Sequence, residues 1–478
     1  MSWGGKHYIT WPVIFLAFTE LALFIVILLL LSRFYTVFSE AAFEFNHYDK
    51  SIITVLAALN FASMVAAGLY NRDAFHFGAG LTWNLATSVL LAAAAFAAFL
   101  IPYSIIQDVR FSSLYVVAIF AAGAQLVLLL LVRGLFVAIF NSVGFKRRLL
   151  VLGDGPLASK VDTWFSENKP RYAELIGGGP FWQPQDVPIR ERHGGSVVAL
   201  ARHDELPSSG VLQRFVRDHA VDEIVVAAAE EVGETIWELL ECRTNGIAVT
   251  DFLAFWERET GRIDLDAINA SRLVYSEGFH CRPFRRNSKY ALDFAVSAVG
   301  LAVTAPLIAL AAIAIKLDSP GPVFYRQKRV GKNGEPFEIV KLRTMTVDAE
   351  KEGTPRWATV GDVRVTRIGA LLRRTRIDEL PQLINVLKGE MSLVGPRPER
   401  PAFVDAFERQ IPLYAVRHCV RPGLTGWAQI NYRYGASLDD AKRKLEYDLF
   451  YVKNHNVVLD IAIMLQTVRV VLWLQGGR

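Results

Sequence analysis

Four long apolar runs open the chain: Trp11–Ser32, Ser51–Tyr70, Leu81–Ile101 and Ser113–Phe140. Each reaches the ~20 residues needed to cross a bilayer core, so each predicts a transmembrane helix. Glu20 and Arg133 fall inside two of these runs. A charge there is costly, which predicts that both face other helices or lie near a helix end. The first run is too long for a signal-peptide core and lacks a convincing cleavage site, so it is expected to stay attached. Four crossings return the chain to its starting side. Lys146, Arg147 and Arg148, directly after the fourth run, favour the cytoplasm for that side, although Arg33 and Lys50 in the first loop dilute the bias.

The pattern then shortens. Arg148–Gly153 reads as a buried strand, followed by a glycine turn and a helix-like Leu157–Asn168. Short apolar strands recur at Ser196–Leu200, Glu223–Ala227 and Ile247–Asp251, separated by helical patterns such as Glu234–Cys242. Strands alternating with helices predict a small parallel-sheet α/β domain over 146–275.

A fifth apolar run, Phe294–Ile315, lies between Lys289 and Lys316 and contains Pro306. Length alone favours a span. A mid-helix proline removes one hydrogen bond and clashes with the carbonyl of Ala302, so a kink is predicted. A bent segment can enter and leave the same leaflet. Beyond it, 318–456 mixes short strands and helices. Val457–Leu474 is apolar but carries Asp460, Gln466, Thr467 and Arg469. That predicts a helix lying in the membrane interface, with a buried core helix as the alternative.

Composition agrees with lipid contact. The 478 residues leave room for about three domains, and they are 52% hydrophobic and 21% charged, with a mean hydropathy of +0.27. A disordered, collagen-like or disulfide-framework protein is excluded. The net charge is +5, unevenly spread: Lys316 to Lys453 holds 25 basic and 17 acidic residues. A basic patch facing phosphates of a nucleotide or a lipid is expected. Cys242, Cys281 and Cys419 are too far apart for a zinc site or a disulfide scaffold, and read as reduced cysteines of a cytosol-facing protein.

Several motifs bear chemistry. Gly153-Asp154-Gly155-Pro156-Leu157-Ala158 has the form of a dinucleotide fingerprint. However, Pro156 stiffens its turn, and Leu175–Gly179 offers no acidic partner for a ribose, so the domain is expected to be structural, with a bound regulatory ligand as the alternative. Val323–Tyr325 and Pro336–Val340, around the Gly331–Gly334 turn, predict a hairpin surrounded by Arg326, Lys328, Arg329, Lys332, Lys341 and Arg343. Asp378 and Glu379 are adjacent, with Arg373, Arg374 and Arg376 before them and Pro381 after. Proline favours the first turn of a helix, so a helix is predicted over Pro381–Lys388 with the two carboxylates near its N-terminus. One carboxylate of such a pair can attack phosphorus while the other holds Mg²⁺; the alternative is a helix cap paired with arginines. Prolines on both sides of Arg397 present its guanidinium with little backbone freedom, suited to a phosphate. Trp427, in Arg421–Trp427, reads as either core or a platform for uracil or sugar. His418 and His455 have no partner at metal-ligand spacing and read as structural.

Together these residues resemble the polyisoprenyl-phosphate hexose-1-phosphate transferases, the bacterial sugar transferases. The resemblance runs from Lys289 to the C-terminus. It includes Lys289 and Asp293 (KxxxD), the proline-containing apolar helix, FYRQKRVGKNGEPF, KLRTM, DELPQLINVLKGEMSLVGPRP and PGLTGWAQINYRYG. The upstream half resembles the long-form members. The resemblance implies four spans over 1–145, a Rossmann-like domain over 146–275 and an α+β catalytic domain over 276–478. Within the last it implies a re-entrant helix over 289–317 and a C-terminal interfacial helix over 457–474.

It also implies transfer of a hexose-1-phosphate from a UDP-sugar, glucose or galactose first, to undecaprenyl phosphate with release of UMP. That reaction would initiate exopolysaccharide, capsule or O-antigen synthesis. Asp378 would attack the β-phosphorus to give a phosphosugar–aspartate. Glu379, with Asp378 beside it, would hold Mg²⁺. Lys341, Arg373 and Arg397 match phosphate-handling positions and Pro306 matches the re-entrant break. One departure is Ala305, where the family often has Ser: the break then rests on proline without a hydroxyl to satisfy freed carbonyls. Placement in the bacterial inner membrane with a cytoplasmic catalytic face, and a homodimer without nucleic acid, complete the expectation. The alternatives are a membrane-bound nucleotide-sugar dehydratase, whose second Rossmann fingerprint and Tyr-xxx-Lys pair are not found after residue 280, and a non-catalytic membrane scaffold that binds UDP-sugar or lipid phosphate.

Overall fold

The computed structural model describes residues 11–38, 49–70, 79–107, 111–142, 147–153, 155–170, 173–177, 211–227, 235–268, 273, 283–347, 349, 362–432, 435 and 437–472. Two compact units are present, one containing Leu130–Ile268 and the other Pro12–Leu129 with Asn269–Arg478.

The first four apolar runs are helices: α1 (Trp11–Phe38), α2 (Asp49–Ala66), α3 (Ala79–Gln107) and α4 (Phe111–Ser142). Among the described residues two segments are long and apolar enough to cross a membrane, Trp83–Ile105 in α3 and Arg286–Asp318 further on. Those in α1, α2 and α4 are shorter, Phe15–Leu31, Ser51–Ala66 and Ala122–Phe136. Phe24, Leu28, Leu56, Ala92 and Phe96 form a shared core between α1, α2 and α3. Glu20 is buried and accepts a hydrogen bond from the Tyr70 hydroxyl at 2.8 Å; Arg133 is buried too. Both charges are thus buried, as the sequence predicts for charges within apolar runs.

The α/β unit holds β1 (Arg147–Leu152), α5 (Pro156–Asn168), β2 (Ala173–Gly177), α6 (Val211–Asp218), β3 (Glu223–Val226), α7 (Thr235–Thr244), β4 (Ala248–Asp251) and α8 (Phe252–Thr260). Its sheet is parallel in the order β2-β1-β3-β4. The last four residues of β1 are all buried, which explains an uninterrupted apolar run rather than an alternating one. β2 was not among the sequence-predicted strands; it is short and runs into the glycines at 177–179. The strand predicted over Ser196–Leu200 lies outside the described residues. Gly153 (φ 127°) and Gly155 (φ 90°) make the turn after β1, and Pro156 then starts α5.

The C-terminal region begins with α9 (Pro283–Asp318). A hairpin follows, β5 (Phe324–Val330) against β6 (Pro336–Leu342), around a 3₁₀ turn at Lys332–Gly334. Then come α10 (Arg367–Thr375), a 3₁₀ turn (Ile377–Gln382), α11 (Leu383–Leu387) and β7 (Ser392–Val394). The last elements are α12 (Pro401–Glu408), a 3₁₀ turn (Tyr414–Cys419), β8 (Gly423–Thr425) parallel to β7, α13 (Trp427–Asn431), α14 (Leu438–Asn454) and α15 (Val457–Leu472).

α9 remains helical through Pro306. Its buried residues fall in two groups at helical spacing, Lys289, Asp293 and Ser297 early, Ala311 and Ile315 late, with none buried between. The early group packs on α11 and β7. The late group joins a core cluster with Leu342 of β6 and Leu372 of α10. The hydroxyl absent at Ala305 is found one residue earlier: Thr304 Oγ1 donates to the carbonyl of Gly300 at 2.7 Å, a back-bond of the kind that bends helices. α15 packs against α2, and two of its polar residues turn inward. Asp460 is buried, and Thr467 shares a 2.7 Å hydrogen bond with Thr425.

Candidate active site

Thr366 caps α10 by accepting from Gly369 N, and Arg376 ends the helix in a left-handed conformation (φ 60°). That reversal starts the 3₁₀ turn, whose first residues include Asp378 and Glu379. The sequence places the start of a helix at Pro381, but the chain already turns at Ile377. Pro381 sits inside the 3₁₀ turn and the α-helix begins at Leu383. The carboxylates are therefore presented by a tight turn after a basic helix, not by the N-terminus of a long one.

Three cations from three elements converge on one oxygen. Glu379 Oε1 lies 2.7 Å from Arg397 Nη2, 3.2 Å from Lys341 Nζ and 3.6 Å from Arg376 Nη1. Lys341 comes from β6, Arg376 from the end of α10 and Arg397 from the Gly395–Pro398 loop after β7. Burial alone would raise the Glu379 pKa, but Arg397, Lys341 and Arg376 outweigh it and hold the carboxyl well below the usual carboxylate range. Asp378 behaves oppositely. Burial first, then the Glu379 charge beside it, push its carboxyl up to about 6. Its Oδ1 is buried and accepts no hydrogen bond. Burial also lowers the Lys341 pKa, against the attraction of Glu379.

The surroundings fix these positions. Asn385 accepts from Val340 N at 3.1 Å and donates to Glu338 O and Glu390 Oε2, both at 2.7 Å, which ties α11 to β6. Arg343 donates to Ser319 O and Pro320 O, joining the end of α9 to β6. Gly321 (φ 120°) lies under that guanidinium, where a Cβ would collide with it. Lys289 and Asp293 anchor β7. Lys289 Nζ donates to Val394 O at 3.1 Å and to Asp460 Oδ2 at 2.8 Å, while Asp293 Oδ1 accepts from Leu393 N at 3.1 Å. The Tyr451 hydroxyl lies 2.9 Å from Val394 O and 2.7 Å from Asp460 Oδ1.

Of the residues predicted from sequence, Asp378, Glu379, Lys341 and Arg397 are brought together. Arg373 stands one step back: its Nε donates to Thr344 Oγ1 at 2.8 Å, and its charge still eases ionisation of Asp378. Pro306 belongs to α9 and makes no described contact with the dyad. Sequence reasoning passed over Arg376 as a site residue, and Asp460 and Tyr451 as anchors; no local spacing announces a partner 171 positions from Lys289. Trp427 is buried against Phe450, with ring centroids 6.0 Å apart, so it belongs to the core. His418 is lowered to about 4, chiefly by burial and then by Arg417, and His455 Nδ1 lies 2.9 Å from Val452 O.

The donor set fits a Mg²⁺ ion only in part from protein. The unbonded Asp378 Oδ1 is a ready ligand, whereas all three cations on Glu379 reach its Oε1. No group of three or more His, Cys, Asp or Glu suited to a metal occurs among the described residues. Mg²⁺ commonly takes one or two carboxylates and draws its other ligands from substrate phosphates and water, so this set is compatible with an ion that arrives with a diphosphate.

The model of the bacterial sugar transferase family matches residues 284–474. A UDP-N-acetylgalactosamine-undecaprenyl-phosphate N-acetylgalactosaminephosphotransferase from Aeromonas hydrophila is 39% identical over 283 residues, 59% of this chain and 60% of that protein. A UDP-glucose:undecaprenyl-phosphate glucose-1-phosphate transferase from Escherichia coli (strain K12) is 44% identical over 289 residues, 57% of this chain and 61% of that protein. A protein of the same description from Caulobacter vibrioides is 46% identical over 182 residues, 38% of this chain and 68% of its own length. The chain thus spans about three-fifths of the length of the first two relatives.

Proposed function

This chain belongs to the bacterial sugar transferase family, and from that premise we propose that it moves a hexose-1-phosphate from a UDP-hexose to undecaprenyl phosphate and releases UMP. The observation that carries the reading is the contrast within the dyad: a buried Asp378 with an unbonded oxygen beside a Glu379 held by three cations. Asp378 is the nucleophile. Its carboxylate oxygen forms a bond to the β-phosphorus, the bond from that phosphorus to the bridging oxygen breaks, and UMP leaves with the electron pair. A phosphate oxygen of the lipid then attacks the same phosphorus and returns the carboxylate. Lys341, Arg376 and Arg397 gather the negative charge of the diphosphate, and Arg373 supports them from behind. Mg²⁺ would be held by Asp378 and Glu379 and would neutralise charge on the phosphate oxygens.

The membrane reading follows from α9. Both of its ends rest on the catalytic fold, and no residue between Ser297 and Ala311 is buried. That uncovered stretch is about 20 Å of helix at 1.5 Å per residue, short of the ~30 Å hydrocarbon core. That length supports a helix that enters and leaves one leaflet; on this reading it would bend at Thr304–Pro306 and keep the catalytic face on the cytoplasmic side of the bacterial inner membrane. The four N-terminal helices cross that membrane.

The test is UMP release from a panel of UDP-sugars with undecaprenyl phosphate, glucose and galactose first and the N-acetylated hexoses next, in wild type and Asp378→Asn. Release with one or more donors that disappears in the variant is expected. Unchanged release in D378N removes the nucleophile, and binding without release from any donor favours the scaffold instead.

A further inference from the structure

Arg397 sits between two prolines, Pro396 and Pro398, neither of which has a backbone N–H to anchor the loop. The loop is held by its carbonyls instead, four in succession. Pro396 O accepts from Gly423 N at 2.9 Å, Arg397 O from Arg417 Nη2 at 2.9 Å, Pro398 O from Arg329 Nη1 at 3.0 Å and Glu399 O from Val330 N at 3.0 Å. Two of the four donors are side chains, and both are locked. Buried Arg417 gives Nε and Nη2 to Asp448 Oδ2 at 3.1 and 2.8 Å, and Nη1 to the Tyr414 hydroxyl at 3.0 Å. Arg329 gives Nε and Nη2 to Gln327 Oε1 at 3.0 and 2.6 Å.

A buried arginine–carboxylate pair is a weak source of net stability, because desolvation offsets most of the attraction. Its planar fork is, by contrast, well suited to fixing direction. Arg417 spends one arm of that fork on the backbone of the residue whose own guanidinium meets Glu379. Arg329 fixes the next carbonyl along. We infer that Arg417 and Arg329 are positioning residues, which aim Arg397 at Glu379 and the diphosphate site by clamping consecutive carbonyls of its proline-framed loop. The inference rests on the transferase reading above.

The test is a double-mutant cycle on the full chain, reading kcat and KM for UMP release from the active UDP-hexose. Arg417→Met, Arg417→Lys, Arg329→Met and Arg397→Met are made singly, and the first and third are also made in the R397M background. R417M and R329M are each expected to lower kcat/KM by roughly 10- to 100-fold, the scale of a reacting group misplaced by about 1 Å. They should do so with the same division between kcat and KM as R397M, and R417K should recover part of the loss. In the R397M background either change should cost less than about threefold more, since no guanidinium is left to aim. A full further loss in that background, a different division between kcat and KM, or unchanged kcat/KM in both single variants would overturn the inference. R417M uncovers Asp448, so its folding is checked by gel filtration; if it does not fold, the R329M cycle decides alone. Absence of UMP release from wild type would instead sink the transferase reading itself.

Discussion

At Asp378 the folded protein binds a proton more tightly than an unfolded chain does, from the ordinary 3.8 up to about 6. Stability is therefore lost as pH rises through that window, and above it the ionised carboxylate costs on the order of 3 kcal/mol. Asp378→Asn is expected to abolish UMP release at pH 8 and yet raise Tm there by several degrees, with the gain vanishing near pH 4; scanning fluorimetry at the two pH values checks this. Glu379 has the opposite sign. Its depressed pKa contributes stability above the ordinary carboxylate value, lost only as pH falls well below it. Glu379→Gln leaves Lys341, Arg376 and Arg397 facing one another without their shared counter-charge. It should destabilise by about 3 kcal/mol, measured by denaturant unfolding. Neighbouring carboxylates that respond in opposite directions would be hard to reconcile with a simple helix cap. The adjacency of Asp378 and Glu379, and the lysine and arginines near them, were legible in the sequence because residue type alone carries that chemistry. The part played by Arg376 was not, since it depends on a left-handed backbone at the end of α10.

Among the elements, the β5–β6 hairpin and the start of β6 at Pro336 were readable, because alternation and a glycine turn are local signals, whereas β5 runs five residues beyond the predicted Tyr325, where charged residues alternate without an apolar face. Pro381 misled for the reason that makes it useful. It marks the first turn of some helix, but a 3₁₀ turn accommodates it as well, and the choice was made four to five residues earlier by Ile377 and Arg376. The polar residues of α15 read from sequence as a wet face. Asp460 instead closes on Lys289 and Tyr451 from inside. Asp460→Asn leaves that buried ammonium only the more distant carboxylate of Asp293, 4.0 Å away, and should cost about 3 kcal/mol, the low end for a broken buried pair, seen as a lower Tm, with looser β7 and slower UMP release. For α9, a cysteine placed at Ser319 should resist membrane-impermeant thiol reagents applied outside intact cells. External labelling would mean that the helix crosses.

Across the whole molecule, the long apolar runs announced the N-terminal helices and the change to short ones announced the α/β unit, both being patterns carried by many residues. Which helices keep company was not legible. The first three group with the C-terminal region, and α2 packs on α15; such contacts join positions hundreds of residues apart. The uncovered middle of α9 has a further consequence on the proposed reading. A hook no more than about 10 Å deep, half of its uncovered helical path, takes its bearing from one surface of the bilayer and is blind to the far side. Turnover by the reconstituted enzyme should then be similar in vesicles of short and long acyl chains, provided the headgroups match. Thickness, which ordinarily sorts proteins between membranes, would be no barrier to this catalytic half, and only the anatomy of a single lipid surface would set where it can work.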